Sequence, residues 1–425
     1  MSYSTGIKTR YIDPVSHYNN RTTFKLPDNE QYHLNFKLAH VGVLTQANTN
    51  YNACGIYGLI KSITLYSGKE QLDRLDDVAR YMNFKNRLNT NESNKDINKY
   101  NNRTALGFEI DAAQQIAHLR AANGVVTVET PHDLGLIQLS DLLPVLRDLT
   151  IYDTSMFKNT SLVIEWNTDT LNFLQSSAAV VNKIVQPILI CDQITNPKVA
   201  QNLSKFQGNV VVTKSIVHDS INIAAIDVSG IAGTNQVVTQ PIQQKLGGFR
   251  NRVVQNLGMI KAFSNPAVHI DNGVVVGSGI LRSPVQINEH INLRVNGQPL
   301  FSESIVYDSC KAQLVQEIFG DINQEPYENS LSIGLDNTRH STPIKNNYVG
   351  IPNDRNVVGM NSLFAVKLNM KINTLELDYS RDGIDDTNAT KLYSQPLTLH
   401  FYGDVGKVIQ FQNGTFSIQF LGTKK

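Results

Sequence analysis

Leu363-Phe364-Ala365-Val366-Lys367-Leu368-Asn369-Met370-Lys371-Ile372, followed at once by Leu375, Leu377 and Tyr379, is the stretch from which the fold can be read. Phe364, Val366, Leu368, Met370 and Ile372 occupy alternate positions, and a period of two places side chains on one face of an extended strand. After a polar loop Leu397, Leu399 and Phe401 alternate again, and Ile409 with Phe411 faces Phe416, Ile418 and Phe420 across Asn413-Gly414. Asn-Gly between alternating runs marks a hairpin, because both turn residues must adopt positive φ. Four antiparallel strands joined by tight turns predict half of a sandwich rather than a βαβ unit. The upstream chain must then supply the facing sheet.

Working outward, the second half repeats these signals. Val210-Val211-Val212, Ile221-Asn222-Ile223 and Val253 to Ile260 read as strands, separated by a Gly- and Gln-rich passage beginning at Gly230. Asp271-Asn272-Gly273 turns into Val274-Val275-Val276, and Asn296-Gly297 turns Ile291 to Val295 back on itself. From Ser304 to Phe319 the period becomes helical, with Tyr307, Cys310, Leu314 and Ile318 in one stripe and Gly320 at the C′ position. Asp321 to Asn361 is a long polar loop.

The first half has similar content. Residues 1–30 are polar and carry neither period, which predicts an arm or a disordered start. Leu34, Phe36, Leu38 and His40 begin the first clear strand, and Ile63 with Leu65 lies in a second that ends at Gly68. Leu75, Val78 and Met82 have helical spacing, with Asp76 and Asp77 where a helix dipole favours acids. Asn89 to Thr104 offers almost nothing to bury and reads as an exposed loop. Val125, Val126 and Val128 predict a strand, as do Leu162 to Trp166 and Ile184 to Cys191, the last an edge strand because of Pro187. Between them Leu134 to Leu149 is rich in leucine, with Pro144 barring a long helix. The polar run from Thr195 to Gly208 marks the boundary, unless Val199 and Leu203 make it a short helix. Matching content in equal halves predicts a duplicated sandwich: an arm at 1–30, one sandwich at 31–205 and another at 206–425.

Composition bounds the function. A chain of 425 residues exceeds one ordinary core and implies two domains. Thirty-eight Lys+Arg against thirty-seven Asp+Glu leave a formal charge of +1 with no basic block, unlike a protein that coats nucleic acid. Charged residues are only 18% of the chain, so its surface can pack on copies of itself while burying few charges. No run of about 18 apolar residues suggests a membrane helix, and the first residues lack the pattern of a signal peptide. Three scattered cysteines, Cys54, Cys191 and Cys310, point to a reducing compartment.

No chemistry stands out. Ten histidines show neither His-Glu-x-x-His nor a pair at ligand spacing. Gly273 to Gly279 lacks a P-loop lysine and reads as a strand with close backbone neighbours. Asp382, Asp385 and Asp386 share a loop that could take calcium, though a solvated turn explains them more simply. Trp166, the only tryptophan, is read as core or interface before a sugar-stacking platform. No residue is assigned as catalytic, cofactor-binding or metal-binding, and no cofactor is expected.

Two tandem sandwiches, the leucine-rich segment before Leu162 to Trp166, the Asn296-Gly297 hairpin feeding the helix from Ser304, and the terminal strands from Leu397 to Phe420 resemble the double jelly-roll major capsid proteins of tailless icosahedral double-stranded DNA viruses. Virophage, polinton-like and adintovirus-like members are nearest. The resemblance covers the layout of residues 31–421 and implies an all-β fold of two eight-stranded antiparallel jelly rolls with a few short helices. It implies no enzyme activity, but a homotrimeric, pseudo-hexagonal capsomer that self-assembles into a virion shell. Penton and minor capsid proteins, and a membrane beneath the shell, are the implied partners, with no sequence-specific nucleic acid. It also implies assembly in the host cytoplasm or nucleus, with the arm on the inner face or across a neighbour and the two long loops facing outward or clasping the trimer. The alternatives are a β-rich fibre, spike or carbohydrate-binding protein, and a β-sandwich polysaccharide hydrolase.

Overall fold

A computed structural model describes residues 6–45, 55–89, 130–131, 134–168, 181–231, 236–263, 270–271, 274–275, 287–306, 308–319, 363–384, 396–412 and 414–422. The first half contains β1 (Ile7–Ile12), β2 (Ser16–Tyr18), β3 (Arg21–Lys25), β4 (Gln31–Val41), β5 (Val43–Thr45), β6 (Ile60–Ser67), β7 (Glu70–Asp76), β8 (Thr130–Pro131), β9 (Gly135–Gln138), β10 (Tyr152–Asp153), β11 (Thr160–Trp166), β12 (Val181–Ile184) and β13 (Ile188–Ile194). Its two main sheets run β1-β13-β4-β10, with β9 also on β4, and β2-β3-β11-β6-β7, while β12-β5-β8 forms a small third. Helix α1 (Val78–Asn89) follows β7, α2 (Val145–Asp148) begins directly after Pro144, and α3 (Pro197–Gln207) joins the halves.

The second half contains β14 (Val210–Ile223), β15 (Val237–Lys245), β16 (Arg252–Phe263), β17 (Ile270–Asp271), β18 (Val274–Val275), β19 (Ile287–Val295), β20 (Gln298–Pro299), β21 (Leu363–Ile372), β22 (Leu375–Ile384), β23 (Leu397–Gln412) and β24 (Thr415–Phe420), with α4 (Asp308–Phe319) after β20. Its sheets run β14-β23-β16-β21, with β24 on β23, and β15-β22-β19-β20. Counting the main strands of either half in chain order gives first-eighth-third-sixth in one sheet and second-seventh-fourth-fifth in the other. That order is a jelly roll, and both halves have it, with a helix after the fifth strand in each. Among the described residues no sheet mixes strands from before and after α3.

The alternation in the deciding stretch does its expected work. Phe364, Val366 and Leu368 are buried, and so are Leu375, Leu377 and Tyr379. Met370 is exposed next to Asn369, at φ 49, where the register of β21 to β16 shifts, and Ile372 beyond it is buried again. Ile409 pairs with Ile418 and Phe411 with Phe416, as the hairpin signal implies, and Gly414 has φ 72. Asn296 and Gly297 both take positive φ and turn β19 into β20.

Several expectations are corrected. Residues 7–25, read as an arm, are three strands of the first sandwich: β1 pairs with β13 and β3 with β11, and Phe24 is fully buried. β1 and β2 border the two sheets and expose much of their surface, so their sequence lacks a clean apolar alternation. The strands from Leu363 to Tyr379 do not share a sheet. The two-residue turn Asn373-Thr374 carries the chain from one sheet to the other, so β21 pairs with β16 and β22 with β15 and β19. Leu397 to Phe411 lies in one long strand, and Val210 to Ile223 in another. Pro187 does not mark an edge: it precedes β13, which lies between β1 and β4. Asp76 ends β7 paired with Ser62, so α1 starts only at Val78. The run at Thr195 is the helix α3, capped by the Asn196 side chain accepting from Lys198 N–H at 3.0 Å. Thr104, the strand expected at Val125, and the loop Asp321 to Asn361 lie outside the described residues, as do Tyr307, Gly320, Asp385 and Asp386.

Candidate functional site

The features that set this molecule apart are the seam between its sandwiches and the strand edges left uncovered. A single buried cluster contains Phe24, Leu65, Leu75 and Phe157 of the first half with Ile216, Tyr402, Ile409 and Phe411 of the second. Phe157 stacks on Tyr152 at 4.9 Å and also meets Phe411 at 5.6 Å and Phe416 at 4.9 Å. The terminal hairpin is therefore an element of the seam as well as of its own sheet. Helix α4 contributes to both cores, with Val315 in the shared cluster and Leu314 against the second sandwich.

Lys407, Ser215 and Asp73 pair with one another in the seam. The Lys407 ammonium on β23 donates to Leu72 O and to Ser215 Oγ, both at 2.7 Å, and lies 3.4 Å from Asp73 Oδ1. Ser215 Oγ donates to Asp73 Oδ1 at 2.7 Å, and Asp73 Oδ2 accepts from Val145 N–H at 3.1 Å at the start of α2. Burial pushes the Lys407 ammonium below its ordinary value, against the pull of Asp73. A buried charge is tolerable only when so supplied with partners. Nearby, Asp77 stands at φ 52 in the turn between β7 and α1. Its carboxylate pairs with Arg80, and its carbonyl accepts from Tyr402 O–H at 3.1 Å.

Asp77, His218 and His400 bring their ligand-type atoms within 4.8 Å of one another, three residues that the sequence keeps far apart. His218 Nε2 lies 3.1 Å from His400 Nδ1, and that nitrogen is 3.4 Å from Asp77 Oδ2. The rings are within 13° of parallel with centroids 5.4 Å apart, longer than the N···N distance by two ring radii, so they lie end to end in nearly one plane. Lone pairs in that arrangement point along one line and do not converge on a common point, as metal ligands must. The geometry is that of a shared proton. Burial holds His218 below its ordinary value, and burial, Arg80 and His218 hold His400 well below it.

Elsewhere the residues singled out from the sequence have structural roles. Asp382 is buried in β22 and accepts from Thr239 Oγ1 at 2.6 Å, so it is not a loop carboxylate. Val274-Val275 pairs antiparallel with Ile270-Asp271, while Asn272 and Gly273 lie outside the described residues. Trp166 is buried, its Nε1–H donating to Thr22 Oγ1 at 2.8 Å. A charged cluster that no motif announces sits inside the second sandwich, where Glu289 accepts from Lys261, Lys311 and Tyr379 at 2.7 to 2.8 Å.

Matching strands lie at the sheet edges, although the middle of β14 packs against β7 and α2, where Ser215 donates to Asp73 and Thr213 to Asp148. Among the described residues β1 and β14 are each the first strand of a sandwich and each a sheet edge. Tyr11 on β1 is 71% exposed and Val212 on β14 67%, with Tyr18 on the edge strand β2 and Phe206 on α3 also exposed. Unpaired edges with apolar side chains are templates for association and are ordinarily covered.

The sequence matches no protein-family model and no curated protein. The fold does match solved structures along nearly its whole length. A chain from the structure of the Sputnik virophage aligns with a TM-score of 0.55 at 9% identity, over 99% of this chain and 89% of that one. The Faustovirus major capsid protein aligns with a TM-score of 0.54 at 9% identity, over 96% and 90%, and the mavirus major capsid protein with 0.51 at 10%, over 98% and 90%. At these identities the likeness is one of fold. The chain has the double jelly-roll fold of these viral proteins.

Proposed function

We propose that the chain is a structural, non-enzymatic major capsid protein, three copies of which form a pseudo-hexagonal capsomer of an icosahedral shell. The observation that carries this reading is the agreement in fold over at least 96% of this chain with the Faustovirus and mavirus major capsid proteins. The exposed apolar side chains on the edge strands, Tyr11 on β1 and Val210 and Val212 on β14, support it, since a closed ring of copies covers surface that a monomer leaves open. Many individually weak contacts between capsomers then hold a shell by acting together. The other partners are the proteins that close the five-fold vertices, minor capsid proteins and, where the shell encloses one, a lipid layer. Its place is the virion, after assembly in a reducing host compartment, cytoplasm or nucleus. Light scattering on purified protein tests the assembly: a trimer is expected, and a monodisperse monomer across the concentration range would overturn the capsomer. Negative-stain images should show pseudo-hexagonal blocks, whereas elongated rods would indicate a fibre.

A further inference from the structure

The His218–His400 contact has only one comfortable proton arrangement. Among the described residues His400 Nε2 is buried without a hydrogen-bond partner, so a proton placed there would be an orphaned donor. A proton on His400 Nδ1, by contrast, faces two acceptors, His218 Nε2 at 3.1 Å and Asp77 Oδ2 at 3.4 Å. Geometry thus assigns the Nδ1–H tautomer to His400 and a bare Nε2 to His218. Each further proton does damage. On His218 Nε2 it sets two N–H groups head to head, and on His400 Nε2 it buries an N–H with no acceptor.

The surroundings do not rescue the charged forms. Asp77 faces the pair from the first sandwich, and Asp76 and Asp219 act on it from farther off. Asp77 is already paired with Arg80, whose guanidinium opposes a second cation at the same place. Tyr402 stacks on His218 at 4.9 Å and meets Tyr81 at 5.3 Å, with His400 buried and His218 partly buried.

The contact is also a joint between halves. His218 and His400 lie on β14 and β23 of the second sandwich, whereas Asp77, Arg80 and Tyr81 lie at the end of β7 and in α1 of the first. We propose that the His218–His400 pair is an acid-sensitive clasp: a proton taken up by His218 breaks their hydrogen bond, one taken up by His400 strands a buried N–H, and either loosens the seam at Asp77. In the closed state the pair stays neutral, and in the open state both rings regain their ordinary affinity for protons. Opening therefore binds protons, and by linkage the seam is strongest above about pH 6.5 and weakens below it. Each proton bound only in the open state raises the opening equilibrium by up to about tenfold per pH unit below that point.

The test is amide hydrogen exchange on the full-length protein between pH 7.5 and 5.0, corrected for the intrinsic pH dependence of exchange. It compares residues 72–82, 214–220 and 398–404 with the remaining strands. Selective loss of protection in these segments below pH 6.5 is expected in the wild type. His218→Gln, which accepts or donates at the same place but does not titrate, should flatten that dependence. Equal acid profiles in wild type and variant, or unchanged protection at pH 5.0, would overturn the clasp. Should the variant not fold, the histidine resonances of the native wild type decide: rings that titrate near 6.5 with the seam still protected contradict it. Either result leaves the oligomeric state, and so the capsid reading, to be judged separately.

Discussion

Glu289 shows how much of this molecule's stability rests on single residues far apart in the chain. Burial pushes its carboxyl up, but the ammonium groups of Lys261 and Lys311 outweigh burial and hold it at about 2, against an ordinary 4.5. The folded carboxyl binds a proton less readily than the unfolded one, so its stabilisation is full above about pH 4.5 and is lost as pH falls through about 2. Glu289→Gln removes the carboxylate charge with which both buried lysines pair and should destabilise the fold by roughly 3–5 kcal/mol in urea denaturation at pH 7. The variant's stability curve should also be flatter than the wild type's between pH 4.5 and 2. Gly403→Ala tests crowding, since a Cβ there would stand 2.5 Å from the Phe249 ring; a loss of about 1–3 kcal/mol is expected. None of these contacts is legible in the sequence. Lys261, Glu289, Lys311 and Tyr379 come from separate elements, as do Asp77, His218 and His400, and no local period or motif joins them.

At the scale of elements, alternation and turn chemistry are the readable signals. Asn296-Gly297 identifies its hairpin, and the same asparagine does more than turn a strand. Its side chain accepts from Asn373 N–H at 2.7 Å and Thr374 N–H at 3.2 Å and donates to Lys371 O at 3.0 Å, pinning the crossover between the sheets. Asn296→Gly keeps the positive φ and deletes these bonds, so a loss of about 1–3 kcal/mol in denaturant unfolding measures them apart from backbone strain. Strand partners are not readable in the same way. A period of two says which side chains are buried but not which strand lies alongside, so the pattern of β21 and β22 suggests neighbours in one sheet where the fold puts them in two. The edge strand β1 escapes notice for a related reason: with one side unpaired, Ile7 and Tyr11 are exposed and blur the pattern.

For the whole molecule, duplication is visible as matching content and is realised as identical strand order, yet the halves are not independent. Phe157 of the first sandwich is fully buried and touches Phe411 and Phe416 of the second. Phe157→Ala should lower stability by about 3–5 kcal/mol, read from the calorimetric midpoint, and should let the halves unfold at separate temperatures. Residues 1–208 expressed alone should bind a hydrophobic dye and aggregate, because the faces that meet Tyr402, Ile409 and Phe411 would be bare; a soluble fragment that takes up no dye would contradict the shared core. The only tryptophan, Trp166, is sealed inside the first sandwich, while tyrosines occur in both. Indole emission therefore watches one half of the polypeptide by itself, and a lag between its quenching and the loss of tyrosine ellipticity would time the parting of the two.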